Sequence, residues 1–322
     1  MSKDKVNILV TGVGAIIGYG IIKSLRLSDH KVRIIGMDIY DDAYGRFISD
    51  EFIHAELASS PQYLNFINDT VKKFEIDLII PGIEQDLYAL HRGKAEIIDK
   101  VKTVMNNDLS IDLSSDKLAT YNYFKNEAIR MIPTLHDVSF AECVENFSLP
   151  FLLKPIRGYA SKGIQKIFSA EEFLFYSKKI GYACIYQKLI GSMDSEFTIS
   201  VFGDGQGSFF DYIILKRQLS QEGATSKAIL VEDEDILLYV KEICSLIKPI
   251  GPTNIQIRTE KNTPYLLEIN PRISSACSIR ALMNYNEPEM CIDYFLLGRS
   301  PISKPKRKAN VVRFISDHIT YG

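Results

Sequence analysis

The sequence predicts a protein of mixed α/β and α+β class, with a doubly wound parallel domain in front and two smaller strand-rich subdomains behind it. Three observations carry that expectation. Strand and helix signals alternate through the first third of the 322 residues, the pattern of an open parallel sheet. An apolar run, Phe151-Leu152-Leu153, stops at Lys154-Pro155 and gives way to a glycine-bearing loop. Downstream, Thr253–Ile257 and Tyr265–Arg272 alternate with period two and gather oxygen-bearing side chains on one face.

Residues 1–112 make the first, Rossmann-like domain. Val6–Val10 is a continuous apolar run, as in a parallel strand buried on both sides. Thr11–Gly18 turns the chain into a helix reaching about Leu27, and a second strand, Val32–Met37, ends at Asp38. Helix over Pro61–Phe74, strand over Asp77–Pro81, helix over Gln85–His91 and a further helix over Lys94–Asp99 follow. Gly12, Gly14 and Gly18 with Asp38 look like a dinucleotide fingerprint, and Tyr121 with Lys125 spaces a Tyr-x-x-x-Lys as in short-chain dehydrogenases and sugar-nucleotide epimerases. Against an NAD(P)-linked oxidoreductase or epimerase stand three facts. The glycine spacing has one residue too many for the commonest NAD form, Tyr121 lies in a polar helical run, and the strand holding Glu268 and Asn270 is left without a role. Glu84 and Asp86 follow the carboxyl end of a strand, where open sheets hold ligands. They either contact an amine or other cationic substrate group or complement the dipole of the helix they open.

Residues 113–185 make the first of the two smaller subdomains. Ser114-Ser115-Asp116-Lys117 opens a helix running to about Met131, and Lys117 in its first turn opposes the helix dipole, which an anionic partner would explain. Another capped helix covers Phe140–Phe147. Lys154 puts a point charge at the edge of a core, and Pro155 ends the ladder. Gly158 and Gly163, with Ala160, Ser161 and Lys162 between them, let backbone amides approach an anion, although the spacing is not that of a P-loop. An ordinary hairpin with a solvated lysine is the other reading. The segment Ala183–Gly191 reads as a strand entering a turn.

Residues 186–322 make the second. Strands over Glu196–Val201 and Ser208–Gln218 precede a polar loop at 221–227, an amphipathic helix over Glu234–Ile247 and the two alternating strands. Arg217 and Lys227 are candidates to steady a γ-phosphate or a carboxylate, with a solvated loop face as the alternative. Glu268 and Asn270 share a face and suit a hard divalent cation; Asn254 and Gln256 join them if the two strands pair. Ile273–Ser278 is a small-residue loop. Met290–Leu297 and a strand over Val311–Ile315 close the chain.

Taken together, Asp116-Lys117, Lys154-Pro155 with Gly158–Gly163, Gln187–Gly191 with Glu196, Asn254 and Gln256, and Glu268–Arg272 occur in an order that resembles the ATP-grasp superfamily. The pattern is nearest the carbamoyl-phosphate-synthase-like and PylC-like carboxylate–amine ligases. The resemblance spans nearly the whole chain and implies a pre-ATP-grasp domain followed by a two-subdomain ATP-grasp fold. It implies ATP with Mg²⁺ or Mn²⁺, Lys117 and Lys154 on phosphates, and the Gly158–Gly163 loop, with Ser161 and Lys162, closing over them. Adenine would be held at Gln187, Lys188 and Leu189; many members carry a glutamate where this chain has Gln187. Glu196 would hold the ribose hydroxyls, with Asp194 the alternative register. Metal would sit on Glu268, Asn270 and, more weakly, Gln256. Arg272, Lys154 and Arg217 would be the catalytic cations. The implied reaction phosphorylates a substrate carboxylate and joins the acyl group to an amine. Small-molecule carboxylates and amines are then the partners, and relatives often form homodimers. A carbamoyl-phosphate-synthase-like subunit would need partner chains, since only one such ATP unit is present. A silent nucleotide sensor is disfavoured by the intact Lys154, Glu268, Asn270 and Arg272.

The bulk numbers exclude other classes. A composition 46% hydrophobic and 24% charged is that of a globular chain, and a net charge of −2 gives no electrostatic case for nucleic acid or an anionic membrane. No stretch reaches the roughly 18 uncharged apolar residues of a membrane span. Five scattered cysteines without a Cys-x-x-Cys pair argue against a zinc site or disulfide framework, and the N-terminus lacks the pattern of a signal peptide. A cytoplasmic protein is the expectation.

Overall fold

The computed structural model describes residues 5–98, 100–127, 129–158, 163–220, 223–314 and 317–319. Strands β1 (Val6–Thr11), β2 (Val32–Asp38), β3 (Glu51–His54), β4 (Leu78–Ile80) and β5 (Lys102–Thr103) form a sheet of order 3-2-1-4-5 with every pairing parallel. Alternation sends Ile8 and Val10 to one face, against α1 (Ile16–Leu25), and Leu9 to the other, against Tyr63, Ile67 and Val71 of α2 (Tyr63–Phe74). The order reverses between β1 and β4, which opens a crevice beyond their carboxyl ends. Helix α3 (Glu84–Arg92) begins at that crevice.

The glycines of the fingerprint look-alike serve packing. A Cβ on Gly18 would stand 2.3 Å from the Gly12 carbonyl oxygen, and one on Gly82, outside the fingerprint and just after β4, would stand 2.1 Å from that of Thr11. Asp38 accepts from the Gly14 N–H at 2.7 Å and from the Tyr40 N–H at 3.1 Å, tying the first loop to β2. The helix expected over Lys94–Asp99 does not form among the described residues 94–98, and Asp99 lies outside them. The Asn68 side chain donates to the Glu96 carbonyl at 2.8 Å and accepts from the Ile98 N–H at 3.1 Å, holding that stretch in a turn.

Helices α4 (Asp108–Ser114) and α5 (Lys117–Asn126) follow. Asp116 caps α5, accepting from the N–H groups of Leu118 and Ala119. The helix stops at Asn126 rather than Met131 because the chain beyond is recruited by another strand: the Leu266 N–H donates to the Arg130 carbonyl at 3.0 Å, and Met131 bridges Leu266.

Strands β6 (Thr134–Leu135), β7 (Phe151–Pro155), β8 (Gln165–Ile167) and β9 (Cys184–Lys188) form an antiparallel sheet of order 6-9-7-8. Its apolar face packs against α6 (Phe140–Phe147) and α7 (Ala170–Lys179) through Phe147, Phe151, Phe173 and Tyr186. A reciprocal Ser139–Glu142 capping box starts α6. Strand β9 runs across the boundary expected at residue 185.

The largest sheet contains β10 (Glu196–Asp204), β11 (Phe209–Leu219), β12 (Thr225–Leu230), β13 (Ile250–Glu260), β14 (Thr263–Asn270) and β15 (Asn310–Val312), in antiparallel order 14-13-10-11-12-15. Ile236, Val240, Ile243 and Ile247 recur at helical spacing along α8 (Glu234–Ile247) and pack against Ile199, Ile255, Ile257 and Leu266. Phe124 and Ile129 join the same core, so the end of α5 packs with this sheet. Short helices α9 (Cys277–Ala281) and α10 (Glu287–Cys291) cover the other face. The closing strand expected over Val311–Ile315 is centred slightly earlier, and Ile315 lies outside the described residues.

Candidate active site

Alternation along β10, β13 and β14 decides which side chains share the face away from α8. Cross-strand partners are Glu196–Arg258, Thr198–Gln256 and Ser200–Asn254, then Asn254–Asn270 and Gln256–Glu268. Residues directly opposite one another project to the same side. The result is a polar patch of carboxylates, amides and hydroxyls on an otherwise apolar sheet.

Glu268 and Gln256 stand opposite each other, with Asn270 next along. Among the described residues no side chain donates a hydrogen bond to Glu268 or Gln256, and Asn270 accepts only a long one, 3.3 Å, from Arg272. Loss of water raises the Glu268 carboxyl above its ordinary range; the charges of Lys117, Arg272 and Lys154 pull it down, and Glu84 pushes it up. Asn254 is different. Its Oδ1 accepts from the Thr198 hydroxyl and the Arg280 guanidinium, each at 2.7 Å, so the expectation that it points at a metal fails. Among the described residues no three of His, Cys, Asp and Glu gather as a metal set. The donors in the patch are one carboxylate and two amides, which is oxygen chemistry suited to Mg²⁺ or Mn²⁺.

Lys154, on β7, is only 7% exposed. Its Nζ donates to Gln187 Oε1 at 2.5 Å, and Gln187 Nε2 donates to the Thr134 hydroxyl at 3.1 Å. Burial lowers the ammonium to about 8, against the upward pull of Glu268. The Gln187 side chain therefore orients the lysine. The Lys188 N–H donates to the Pro133 carbonyl at 3.0 Å, and Lys188 and Leu189 are half-buried at the strand end. Lys117 Nζ donates to the Gly158 carbonyl at 2.9 Å, bringing the α5 lysine to the glycine loop. Gly158 and Gly163 both adopt positive φ, 149° and 79°. Ser161 and Lys162 lie outside the described residues.

Glu196 is 4% exposed and is enclosed by two arginines. One oxygen accepts from Arg217 Nε at 3.1 Å and Nη2 at 2.8 Å, and the other accepts from Arg258 Nη2 at 3.0 Å. Arg217, expected at the phosphate, is thus a partner of Glu196. Asp194 lies on the exposed turn before β10, where its Oδ1 accepts from Gln218 at 2.7 Å. Lys227 is exposed and alternates with Ala228, the cross-strand partner of Arg217, so it belongs to the opposite face.

Arg272 meets the first domain. Its Nη2 donates a short hydrogen bond to Glu84 Oε1 and its Nη1 donates to the Ile273 carbonyl at 3.0 Å. Asp86, the other crevice acid, is buried. Loss of water pushes its carboxyl up to about 6, against hydrogen bonding from Thr11 and Tyr63. Its carboxylate is engaged by Thr11 and Tyr63 within the first domain.

Sequence reasoning missed Arg258, Arg280 and Glu287. Arg258 continues the Asn254–Gln256 alternation, which is a usable signal. Arg280 and Glu287 are fully buried and paired at 3.4 Å; Arg280 also donates to Thr198 at 3.0 Å and Ser274 at 2.8 Å, while Ser200 donates to Glu287 at 2.7 Å. Nothing in their local sequence marks them.

A family model described as "ATP-grasp in the biosynthetic pathway with Ter operon" matches residues 193–317. The structure is similar to N5-carboxyaminoimidazole synthetase from Staphylococcus aureus complexed with ADP, with a TM-score of 0.70 and 17% identity over 95% of this chain and 80% of that one. The fold is ATP-grasp. The biotin carboxylase domain of the Hydrogenobacter thermophilus 2-oxoglutarate carboxylase, a dimer in complex with MgADP and bicarbonate, gives 0.70 and 16% identity, covering 94% of this chain and 71% of the other. An L-amino acid ligase from Bacillus licheniformis gives 0.65 and 16% identity over 91% and 74%. No curated protein matches the chain in sequence.

Proposed function

We propose that the protein is an ATP-dependent ligase that activates a substrate carboxylate as an acyl phosphate and joins it to an amine, releasing ADP and phosphate. The observation that supports this best is Glu268. It is a desolvated carboxylate without a hydrogen-bonding side chain among the described residues, beside Gln256 and Asn270, and within electrostatic reach of Lys117, Lys154 and Arg272. Oxygen donors surrounded by cations fit a metal-bridged polyphosphate.

Glu268, Asn270 and Gln256 would hold Mg²⁺ or Mn²⁺. The metal, when bound, neutralises charge on the transferred phosphoryl group. Lys154 and Lys117 would bind phosphate oxygens, Lys154 being pre-oriented by Gln187. The Gly158–Gly163 loop would close over the same phosphates, as the sequence implies; its residues 159–162 lie outside the described residues. Adenine would lie against Lys188 and Leu189, where the Lys188 N–H is already used within the protein. The ribose hydroxyls would be held by Glu196, whose two oxygens are engaged by Arg217 and Arg258, or in the alternative register by the exposed Asp194. Arg217 then acts by holding Glu196. Arg272 stabilises negative charge at the acyl-phosphate end.

Small-molecule carboxylates and amines are the proposed partners, and self-association as a homodimer is part of the same reading. No helix among the described residues is long and apolar enough to cross a membrane. Use of ATP and five free cysteines support a cytoplasmic location.

The test is Mg²⁺-dependent ADP release with pooled carboxylates and amines, run beside Lys154→Ala and Glu268→Ala. ADP formed only when acid and amine are both present, and lost in both variants, supports the assignment. Undiminished turnover in Glu268→Ala would remove the metal site.

A further inference from the structure

The short hydrogen bond between Glu84 and Arg272 joins two parts of the chain 188 residues apart. Glu84 comes from the carboxyl end of β4 through the start of α3, and Arg272 from the end of β14. The two side chains are 18% and 13% exposed, so the pair is half-withdrawn from water in the crevice between the domains. Glu84 lies close enough to Glu268 to push that carboxyl upward, and Arg272 Nη2 also donates to Asn270 Oδ1 at 3.3 Å. The pair therefore stands at the edge of the phosphate site.

Arg272 cannot serve Glu84 and a phosphoryl group equally. A phosphate dianion presents more charge and more acceptor oxygens than one carboxylate, and a guanidinium binds such groups with a two-pronged geometry. When Arg272 turns to the acyl phosphate, Glu84 is left as a shielded carboxylate without its cation and with Glu268 nearby. An unpaired, partly buried charge is costly, and a cation relieves it.

We infer that Glu84 is the binding residue for the protonated amine substrate, masked by Arg272 until the acyl phosphate draws the arginine away. This rests on the ligase reading above and deepens it: the second substrate is a primary ammonium, and its site opens only after the first half-reaction. The exchange places the nitrogen beside the activated carbonyl. Glu84 takes one proton from the bound ammonium and passes it to water, which frees the nitrogen lone pair. The carbon–nitrogen bond then forms as the bond from the acyl carbon to the phosphate oxygen breaks; phosphate leaves with the electron pair and takes the second proton from the nitrogen.

The experiment compares two acceptors. Native protein, Glu84→Gln and Glu84→Asp are supplied with MgATP and a pool of L-amino acids, hydroxy acids and dicarboxylic acids. Each receives either hydroxylamine, which is neutral at neutral pH, or a mixture of ethanolamine and putrescine, which are protonated. Hydroxamate and amide are quantified by mass spectrometry. The amide-to-hydroxamate ratio is expected to fall at least tenfold in Glu84→Gln and less in Glu84→Asp, which keeps the charge. An equal loss of both products in Glu84→Gln, in protein that melts as the native does, would make the pair purely structural and overturn the inference. Hydroxamate without amide in the native protein would also overturn it. If native protein forms neither product, the ligase reading falls first and takes this inference with it.

Discussion

Replacing Lys154 with methionine is expected to stabilise the protein while abolishing nucleotide-dependent turnover. Burial lowers the lysine from its usual 10.5 to about 8, with Glu268 acting in the opposite direction. Between those two values the unfolded chain binds more protons than the folded one, so this group's contribution to stability rises with pH across that window. Below it, at neutral pH, the folded protein bears the whole cost of keeping the ammonium charged. At about 1.4 kcal/mol per pH unit, that cost is on the order of 3 kcal/mol. Methionine keeps the apolar stem and drops the charge. The gain is reduced because Gln187 Oε1 loses its 2.5 Å partner, and a buried acceptor left unsatisfied costs about 1–3 kcal/mol. Net stabilisation of about 1 kcal/mol at neutral pH, shrinking and then reversing toward pH 10, is the expected outcome of urea unfolding at a series of pH values. A methionine variant less stable than native at neutral pH, or a difference that ignores pH, would refute the reasoning.

The same lysine predicts that MgATP binding near pH 8 takes up protons, because added negative charge raises a lowered ammonium; calorimetry in buffers of different ionisation enthalpy reads the uptake directly. Arg280→Met leaves Glu287 buried without its cation, and breaking such a pair should cost about 3–5 kcal/mol. Adding Glu287→Leu to Arg280→Met should recover part of that loss, as seen in thermal melts. Gly82→Ala would drive a methyl into the Thr11 carbonyl, 2.1 Å away, and should lower stability by about 1–3 kcal/mol without a matching change in MgATP affinity.

The sequence was most legible where one residue type and one period sufficed. Alternation along β13 and β14 anticipated that Gln256, Glu268 and Asn270 share a face, and the strand expected to end at Lys154 runs one residue further, to Pro155. What alternation cannot report is which polar side chain is already spoken for. Asn254 belongs to the right face but is held by Arg280, and Glu196 is held by Arg217 and Arg258. Both facts depend on partners far away in the chain. The Glu84–Arg272 pair is another such case: each residue looked functional alone, and only the fold brings them together. The false helix at Lys94–Asp99 and the early end of α5 have a common cause, since tertiary hydrogen bonds to Asn68 and Leu266 override local helical preference.

The central claim is that a carboxylate is activated by phosphorylation. The most direct measurement uses a pool of acids labelled with oxygen-18 in the carboxyl group, together with MgATP and amines, and weighs the phosphate released. Transfer of one labelled oxygen from acid to phosphate is the predicted result, because the acyl–oxygen bond breaks when the amine attacks. ADP release accompanied only by unlabelled phosphate would contradict the account.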